Sequence, residues 1–203
     1  ERRAVLVPPY DDPRIVAGAG TLGREFALQV ADLGTTLDAM VVNCSGGGLT
    51  AGCALAFATL SPRTQVYVAE PEGLDDTTRS LRAGKRVQND GAARSICDAL
   101  LVATPGELTF PINQRLLAGG VTVSDDQVIA AMRCARDEFG LTVEPGGAAG
   151  FAAVLNERLP VRGRTLGVVF SGGNVEPALY AQWLGDGTTV VAGKNGATRG
   201  VTG

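Results

Sequence analysis

Leu37-Asp38-Ala39-Met40-Val41-Val42-Asn43-Cys44-Ser45-Gly46-Gly47-Gly48-Leu49-Thr50-Ala51-Gly52-Cys53-Ala54-Leu55-Ala56-Phe57-Ala58 decides the fold. Its first third is apolar and β-leaning, and its last third is alanine-rich and suited to a helix. A strand that ends in glycines and opens into a helix aims several backbone N–H groups at one point. The helix N-terminus adds a partial positive charge there, so the turn is a ready site for an anion, phosphate above all. Glycine suits such a loop because a side chain would block the close approach. A tight strand–helix turn that holds no ligand is the competing reading of these residues alone.

The same pattern recurs along the chain. Residues 37–43 read as a strand and 49–60 as a helix. A second strand is expected at 65–69 (Gln-Val-Tyr-Val-Ala), bounded by Ser61-Pro62 and Glu70-Pro71. A third is expected at 166–170 (Leu-Gly-Val-Val-Phe), followed again by glycines in Ser171-Gly172-Gly173-Asn174. Short continuous apolar runs suit strands buried on both faces of a parallel sheet. Helices are expected at 21–33, where Leu22, Phe26, Val30 and Leu33 recur at helical spacing, and at 146–159, ahead of Pro160. Ser124-Asp125-Asp126-Gln127 resembles a capping box and opens a helix through Phe139, stopped by Gly140. Residues 82–111 give no clear element, and the glycine- and threonine-rich tail from Gly185 reads as a loose end. The expected architecture is α/β, doubly wound and mostly parallel.

In such sheets ligands bind beyond the carboxyl ends of the strands. Both glycine-bearing ends fall there, so they can share one crevice. The first offers backbone donors. The second offers a hydroxyl and an amide, which suit a neutral ring atom better than a charge.

Composition narrows the function. The chain has 203 residues, 45% hydrophobic and 19% charged, with a net charge of −3. Without a basic block, nucleic acid and anionic membrane are not expected as partners. No apolar run approaches the ~20 residues of a bilayer span. Cys44, Cys53, Cys97 and Cys134 lack both C-x-x-C spacing and disulfide-scaffold density, so they read as reduced thiols of a cytoplasmic protein. Histidine is absent. Ser-His-Asp and Cys-His triads are thereby excluded. Any chemistry must use other groups or a cofactor.

In order, Pro8-Pro9-Tyr10-Asp11-Asp12-Pro13, Ala17-Gly18-Ala19-Gly20-Thr21, Ser45-Gly46-Gly47-Gly48-Leu49, Ala69-Glu70-Pro71, Val143-Glu144-Pro145-Gly146-Gly147-Ala148 and Ser171-Gly172-Gly173-Asn174 resemble the fold-type II pyridoxal phosphate enzymes, the group of serine/threonine dehydratases and serine racemases. The resemblance runs from about Pro8 to Trp183. It implies that Ser45, Gly46, Gly47, Gly48 and Leu49 bind the phosphate of pyridoxal 5'-phosphate, and that Ser171 hydrogen-bonds its ring nitrogen. A neutral hydroxyl leaves that nitrogen unprotonated, which suits β-elimination more than transamination. A turn serine that caps the next helix is the other reading of Ser171. Glu70, the Leu74 carbonyl and Asp76 resemble the divalent-cation site of the racemase and dehydratase branch, whose oxygen donors suit Mg²⁺, Mn²⁺ or Ca²⁺. An acidic turn capping the next helix is the alternative there. Glu144 resembles a family glutamate near the cofactor.

Some positions depart from the family pattern. Ala19 stands where glutamine is usual, Ala99 where glycine follows Asp98, and Ser45 where the first of four glycines is common. The largest departure is a missing lysine. Lys85 and Lys194 are the only lysines, and neither lies in a context resembling the family's Ser-x-Lys-x-Arg-Gly-Ala motif. The resemblance therefore implies the C-terminal part of a longer enzyme: residues 1–20 as the end of the small domain and crossover, 21–184 as the large-domain portion, 185–203 as the tail. Alone it is expected to be inactive, and to associate with the missing N-terminal segment or as a homo-oligomer. The activity implied is ammonia release from a β-hydroxy amino acid such as threonine or serine, with racemisation as the enzymatic alternative. A non-catalytic phosphate-ligand-binding module is the alternative from another class.

Overall fold

A computed structural model describes residues 5–160 and 165–185. The chain runs α1 (Pro13–Asp32), β1 (Ala39–Asn43), α2 (Gly48–Leu60), β2 (Gln65–Pro71), α3 (Asp76–Ala83), a 3₁₀ turn (Asp98–Leu100), α4 (Thr109–Leu116), β3 (Gly119–Val123), α5 (Asp125–Phe139), α6 (Pro145–Leu155), β4 (Leu166–Val168) and α7 (Pro177–Leu184). The strands form one sheet in the order β3-β2-β1-β4. Every pairing is parallel, with Met40 opposite both Val66 and Gly167.

β1 is buried at all five positions. Its side chains alternate between two cores, as the two-residue period of a strand requires. Ala39 and Val41 face a core built with Val128, Met132 and Ala135 of α5 and Ala148 to Ala153 of α6. Met40 and Val42 face another, built with Ala27 and Val30 of α1 and Cys53, Ala54 and Phe57 of α2. Helices therefore cover both faces, which is the doubly wound α/β arrangement expected from the sequence.

The element edges carry the differences. α1 starts at Pro13, eight residues ahead of the apolar period at 21–33, because Asp12 accepts from the Arg14 N–H at 2.8 Å and Pro13 stands in its first turn. The last four of these added residues, Ala17-Gly18-Ala19-Gly20, are small, and the packing explains why. A Cβ on Gly52 of α2 would lie 2.5 Å from the backbone N of Gly20 and 2.6 Å from the carbonyl of Val16. The two helix backbones touch there. The capping box at Ser124 forms in both directions, with Gln127 N donating to Ser124 Oγ at 3.3 Å and Ser124 N to Gln127 Oε1 at 3.1 Å. α6 stops at Leu155, short of 159, where Glu157 takes a φ of 50° and Arg158 N reaches the Ala153 carbonyl. β3, α4 and α7 had no counterpart in the sequence reading. The tail from 186 and Lys194 lie outside the described residues.

Gly52→Ala should push α1 off α2 and cost about 1–3 kcal/mol, as overpacking against backbone does. Gly18→Ala, on α1 with nothing within 4 Å of its new methyl, should be neutral or stabilising by up to about 1 kcal/mol. Urea midpoints of the two variants check this; equal midpoints would show that the helices do not meet at Gly52.

Candidate active site at the carboxyl edge of the sheet

β1 and β4 are neighbours and point the same way, so the residues that follow them share one edge of the sheet. A cavity of about 490 Å³ opens there. Ser45 to Thr50 line one side and Ser171 another, so the structure brings together the two glycine-bearing segments. Asp98 to Val102 form a further wall, from the stretch that the sequence left unassigned. The volume lies within the range usual for small-molecule sites.

The glycine loop is held from behind. Gly46 O accepts from Thr109 Oγ1 at 2.5 Å and from Gly106 N at 3.2 Å; Gly47 O accepts from Asn113 Nδ2 at 3.3 Å and Ala51 N at 2.9 Å. In a trans peptide the C=O and the next N–H point opposite ways. With both carbonyls turned onto α4 and the first turn of α2, the N–H groups of Gly47 and Gly48 face away from α4. Gly47 has a φ of +88°, which a side chain rarely adopts. α2 has no side-chain cap and no acidic residue in its first turn, so among the described residues its leading N–H groups meet no anionic cap.

α4 is in turn tied down by Asp11. Its carboxylate accepts from the N–H groups of Glu107 at 2.9 Å and of Leu108 at 2.8 Å. Consecutive aspartates thus cap different helices, Asp11 serving α4 and Asp12 serving α1. Tyr10, just before them, lies against Gly46 and lines the cavity.

Ser171 is reached by Asn43, whose Nδ2 lies 3.1 Å from Ser171 Oγ. Glu144 braces the rest of that turn. Its backbone N–H donates to Gly172 O at 3.0 Å, and its carboxylate accepts from Asn174 N at 2.8 Å. No helix is capped by the Ser171 side chain among the described hydrogen bonds; α7 is capped by Glu176 instead.

Glu70, Leu74 and Asp76 are all buried beside this edge. Glu70 accepts from Thr77 N at 2.9 Å, Thr78 N at 2.7 Å and Thr78 Oγ1 at 2.6 Å, and so caps α3 from the end of β2. Asp76 accepts from Asn89 Nδ2 at 2.6 Å through Oδ1, while its Oδ2 is buried with no hydrogen bond. Burial pushes the Glu70 carboxyl up to about 8, against the hydrogen bonds from Thr78 and with the Asp76 charge adding to the rise. Burial likewise raises Asp76 to about 6. Among the described residues no group of three or more Cys, Asp or Glu side chains could hold a metal ion. Burial pushes the Cys44, Cys53 and Cys97 thiols to about 12, which makes them inert as nucleophiles. Among the described residues no helix is long and apolar enough to cross a membrane.

Comparison with known proteins gives a family match. The family model described as "Pyridoxal-phosphate dependent enzyme" matches residues 1–172. The chain is 35% identical over 193 residues to the L-threo-3-hydroxyaspartate ammonia-lyase of Saccharomyces cerevisiae, covering 94% of this chain and 58% of that protein. It is 38% identical to the serine racemase of Arabidopsis thaliana, covering 87% and 53%. Among solved structures it superposes on a T.th. threonine deaminase with a TM-score of 0.78 and 40% identity, over 83% of this chain and 56% of that one. The chain spans just over half the length of these relatives.

The two raised acids give a pH dependence whose sign is fixed. Well below 3.8, the ordinary aspartate value, both are protonated folded and unfolded, and they contribute no difference. Above it the unfolded chain releases both protons while the folded chain keeps the Asp76 proton to about pH 6 and the Glu70 proton to about pH 8, so stability falls, by up to about 1.4 kcal/mol per pH unit for each proton retained. Urea unfolding between pH 5 and 8 should show this decline, and Glu70→Gln should shallow it. A flat profile would mean that both carboxylates ionise freely in the folded protein.

Proposed function

The chain belongs to the pyridoxal-phosphate dependent enzyme family, and from that premise we propose that it carries the cofactor grip of an ammonia-lyase acting on a small β-hydroxy amino acid. The observation that carries this is the pairing, on adjacent strands, of an uncapped glycine-lined helix N-terminus with a neutral serine hydroxyl. The residues present fit the cofactor. The N–H groups of the Ser45–Leu49 segment, with the α2 N-terminus behind them, would hold its phosphate. Ser171 would meet its ring nitrogen, and Asp98 to Val102 would close the flank. When bound, pyridoxal phosphate supplies an electron sink for charge at the amino acid's α-carbon.

What the chain's residues do is orient and tune. The loop fixes one end of the cofactor by charge without offering it a proton. Ser171, an uncharged donor, leaves the ring nitrogen unprotonated, which limits charge withdrawal and favours loss of a β-hydroxyl. Among the described residues no lysine lines the cavity, and Lys85 lies exposed beyond α3. Neither Lys85 nor Lys194 has a sequence context resembling the family's lysine motif, and on that ground the lysine that binds the cofactor aldehyde is assigned to a part of the protein outside these 203 residues. On this view the chain alone turns over no substrate and works joined to that part, in a cytoplasmic enzyme whose described cysteines are all free.

Relatives named as a serine racemase and as a hydroxyaspartate ammonia-lyase support two outcomes of the same α-carbon chemistry. Elimination is put first and racemisation second; the Ser171 hydroxyl argues against transamination and is compatible with both. A divalent cation is an accessory part of the proposal. The unpartnered Asp76 Oδ2 beside Glu70, with the Leu74 carbonyl in the same turn, would take Mg²⁺, Mn²⁺ or Ca²⁺. If the ion binds, adding it should flatten the pH decline of stability described above; an unchanged decline would leave Glu70 as a helix cap alone.

Two substitutions at one position test the phosphate grip. Asp and Asn both tolerate positive φ better than most residues, and each would press on the movable Asn113 amide 2.6 Å from the new Cβ. In the complete protein, Gly47→Asp should weaken pyridoxal phosphate binding at least tenfold more than Gly47→Asn, because only the first sets a charge against the phosphate. Absorbance titration of the apo-protein reads this, and equal affinities would remove the loop from phosphate binding.

The reaction is tested directly by supplying L-serine, L-threonine or L-threo-3-hydroxyaspartate to the complete protein. Ammonia and the oxo acid should appear in equal amounts, and faster than the D-amino acid. Inverted amino acid without ammonia would assign the chain to racemisation.

A further inference from the structure

Asn43, the last residue of β1, is 3% exposed and uses its whole amide. Gly150 N donates to its Oδ1 at 2.6 Å. Its Nδ2 reaches Gly147 O at 3.0 Å, Val169 O at 3.0 Å and Ser171 Oγ at 3.1 Å. These partners allow one orientation. Turned over, the NH₂ would face the N–H of Gly150 and the carbonyl would face two carbonyls, leaving buried polar groups in conflict. The atom beside Ser171 Oγ is thus an amide nitrogen whose two hydrogens are shared among three acceptors; it cannot itself accept, so the hydroxyl cannot donate to it.

A hydroxyl has one proton. Because Asn43 presents a nitrogen that cannot accept it, that proton must point elsewhere, and Ser171 lines the cavity. We propose that Asn43 is a positioning residue that makes Ser171 a hydrogen-bond donor to the cavity, so that the ring atom placed there must be an acceptor. This rests on the cofactor reading above and deepens it. A pyridine nitrogen without a proton satisfies the requirement, whereas a pyridinium N–H would meet a donor. The unprotonated state of the ring is then set through a relay at the cavity wall: Gly150 N–H orients Asn43, and Asn43 orients Ser171.

The test compares two ligands rather than one affinity. The complete protein is titrated with pyridoxal 5'-phosphate and with its 1-deaza analogue, in which C–H replaces the ring nitrogen. Unmodified protein should prefer the parent by about tenfold, the worth of one hydrogen bond. Asn43→Ala should bring that preference below about threefold. If Asn43 only ties β1 to β4 and α6, both affinities fall together and the preference survives, which overturns the proposal. If the unmodified protein binds both ligands equally, the Ser171 contact itself is wrong; if it binds neither, the cofactor reading fails. Should the alanine variant not fold, ¹⁵N NMR of unmodified protein loaded with ring-labelled cofactor decides. The shift of a hydrogen-bonded, unprotonated pyridine supports the proposal, and a pyridinium shift overturns it.

Discussion

The grip of Thr109 and Asn113 on the carbonyls of Gly46 and Gly47 is the constraint on which the site depends. A glycine loop without it has many conformations, and most scatter their N–H groups. Two polar side chains one turn apart on α4 select one, and the planarity of the peptide does the rest. The selection is relayed further back, because α4 is held at its N-terminus by Asp11. The conformation of the glycine loop thus rests on a chain of neutral and charged hydrogen bonds that starts outside the sheet altogether.

That chain explains which parts of the molecule were legible from sequence. Strands buried on both faces appear as unbroken apolar runs, and β1 and β2 were visible for that reason. The α2 start and Ser171 were visible because glycines at strand ends have few other uses. α4 was hidden because its buried side chains include Thr109 and Asn113, and polar burial leaves no apolar period. β3 was hidden because Gly119-Gly120 opens it and four of its five residues are only half-buried. α1 carried a readable signal that apolar spacing overlooked, the Asp12-Pro13 cap. Asn43 read as a strand end. Only its four partners, all of them more than 100 residues away, reveal that it is a junction.

The acidic turn shows two demands meeting at one place. Glu70 satisfies the first N–H groups of α3, a favourable position for a negative charge. It does so while fully buried, and a second carboxylate stands nearby with one oxygen unpaired. The helix cap favours ionisation, burial and the neighbour oppose it, and burial prevails. A proton relieves that tension, and Glu70, raised to about 8, still carries it at neutral pH.

Adjacency of β1 and β4 links these local devices to the chemistry. Neighbouring parallel strands stand about 4.8 Å apart, so groups at their carboxyl ends could address one small ligand rather than two. On the proposed reading one end would meet it with aligned N–H dipoles, which prefer negative charge, and the other with a single hydroxyl, which leaves charge unchanged. The α6 first turn closes the arrangement, since Gly147 O and Gly150 N fix the amide that directs Ser171. The sheet sets the spacing, α2 supplies the field, and α6 sets the direction of one proton. A rigid fold is needed for the last of these, because rotating a hydroxyl costs little and only an oriented neighbour makes its direction a property of the protein.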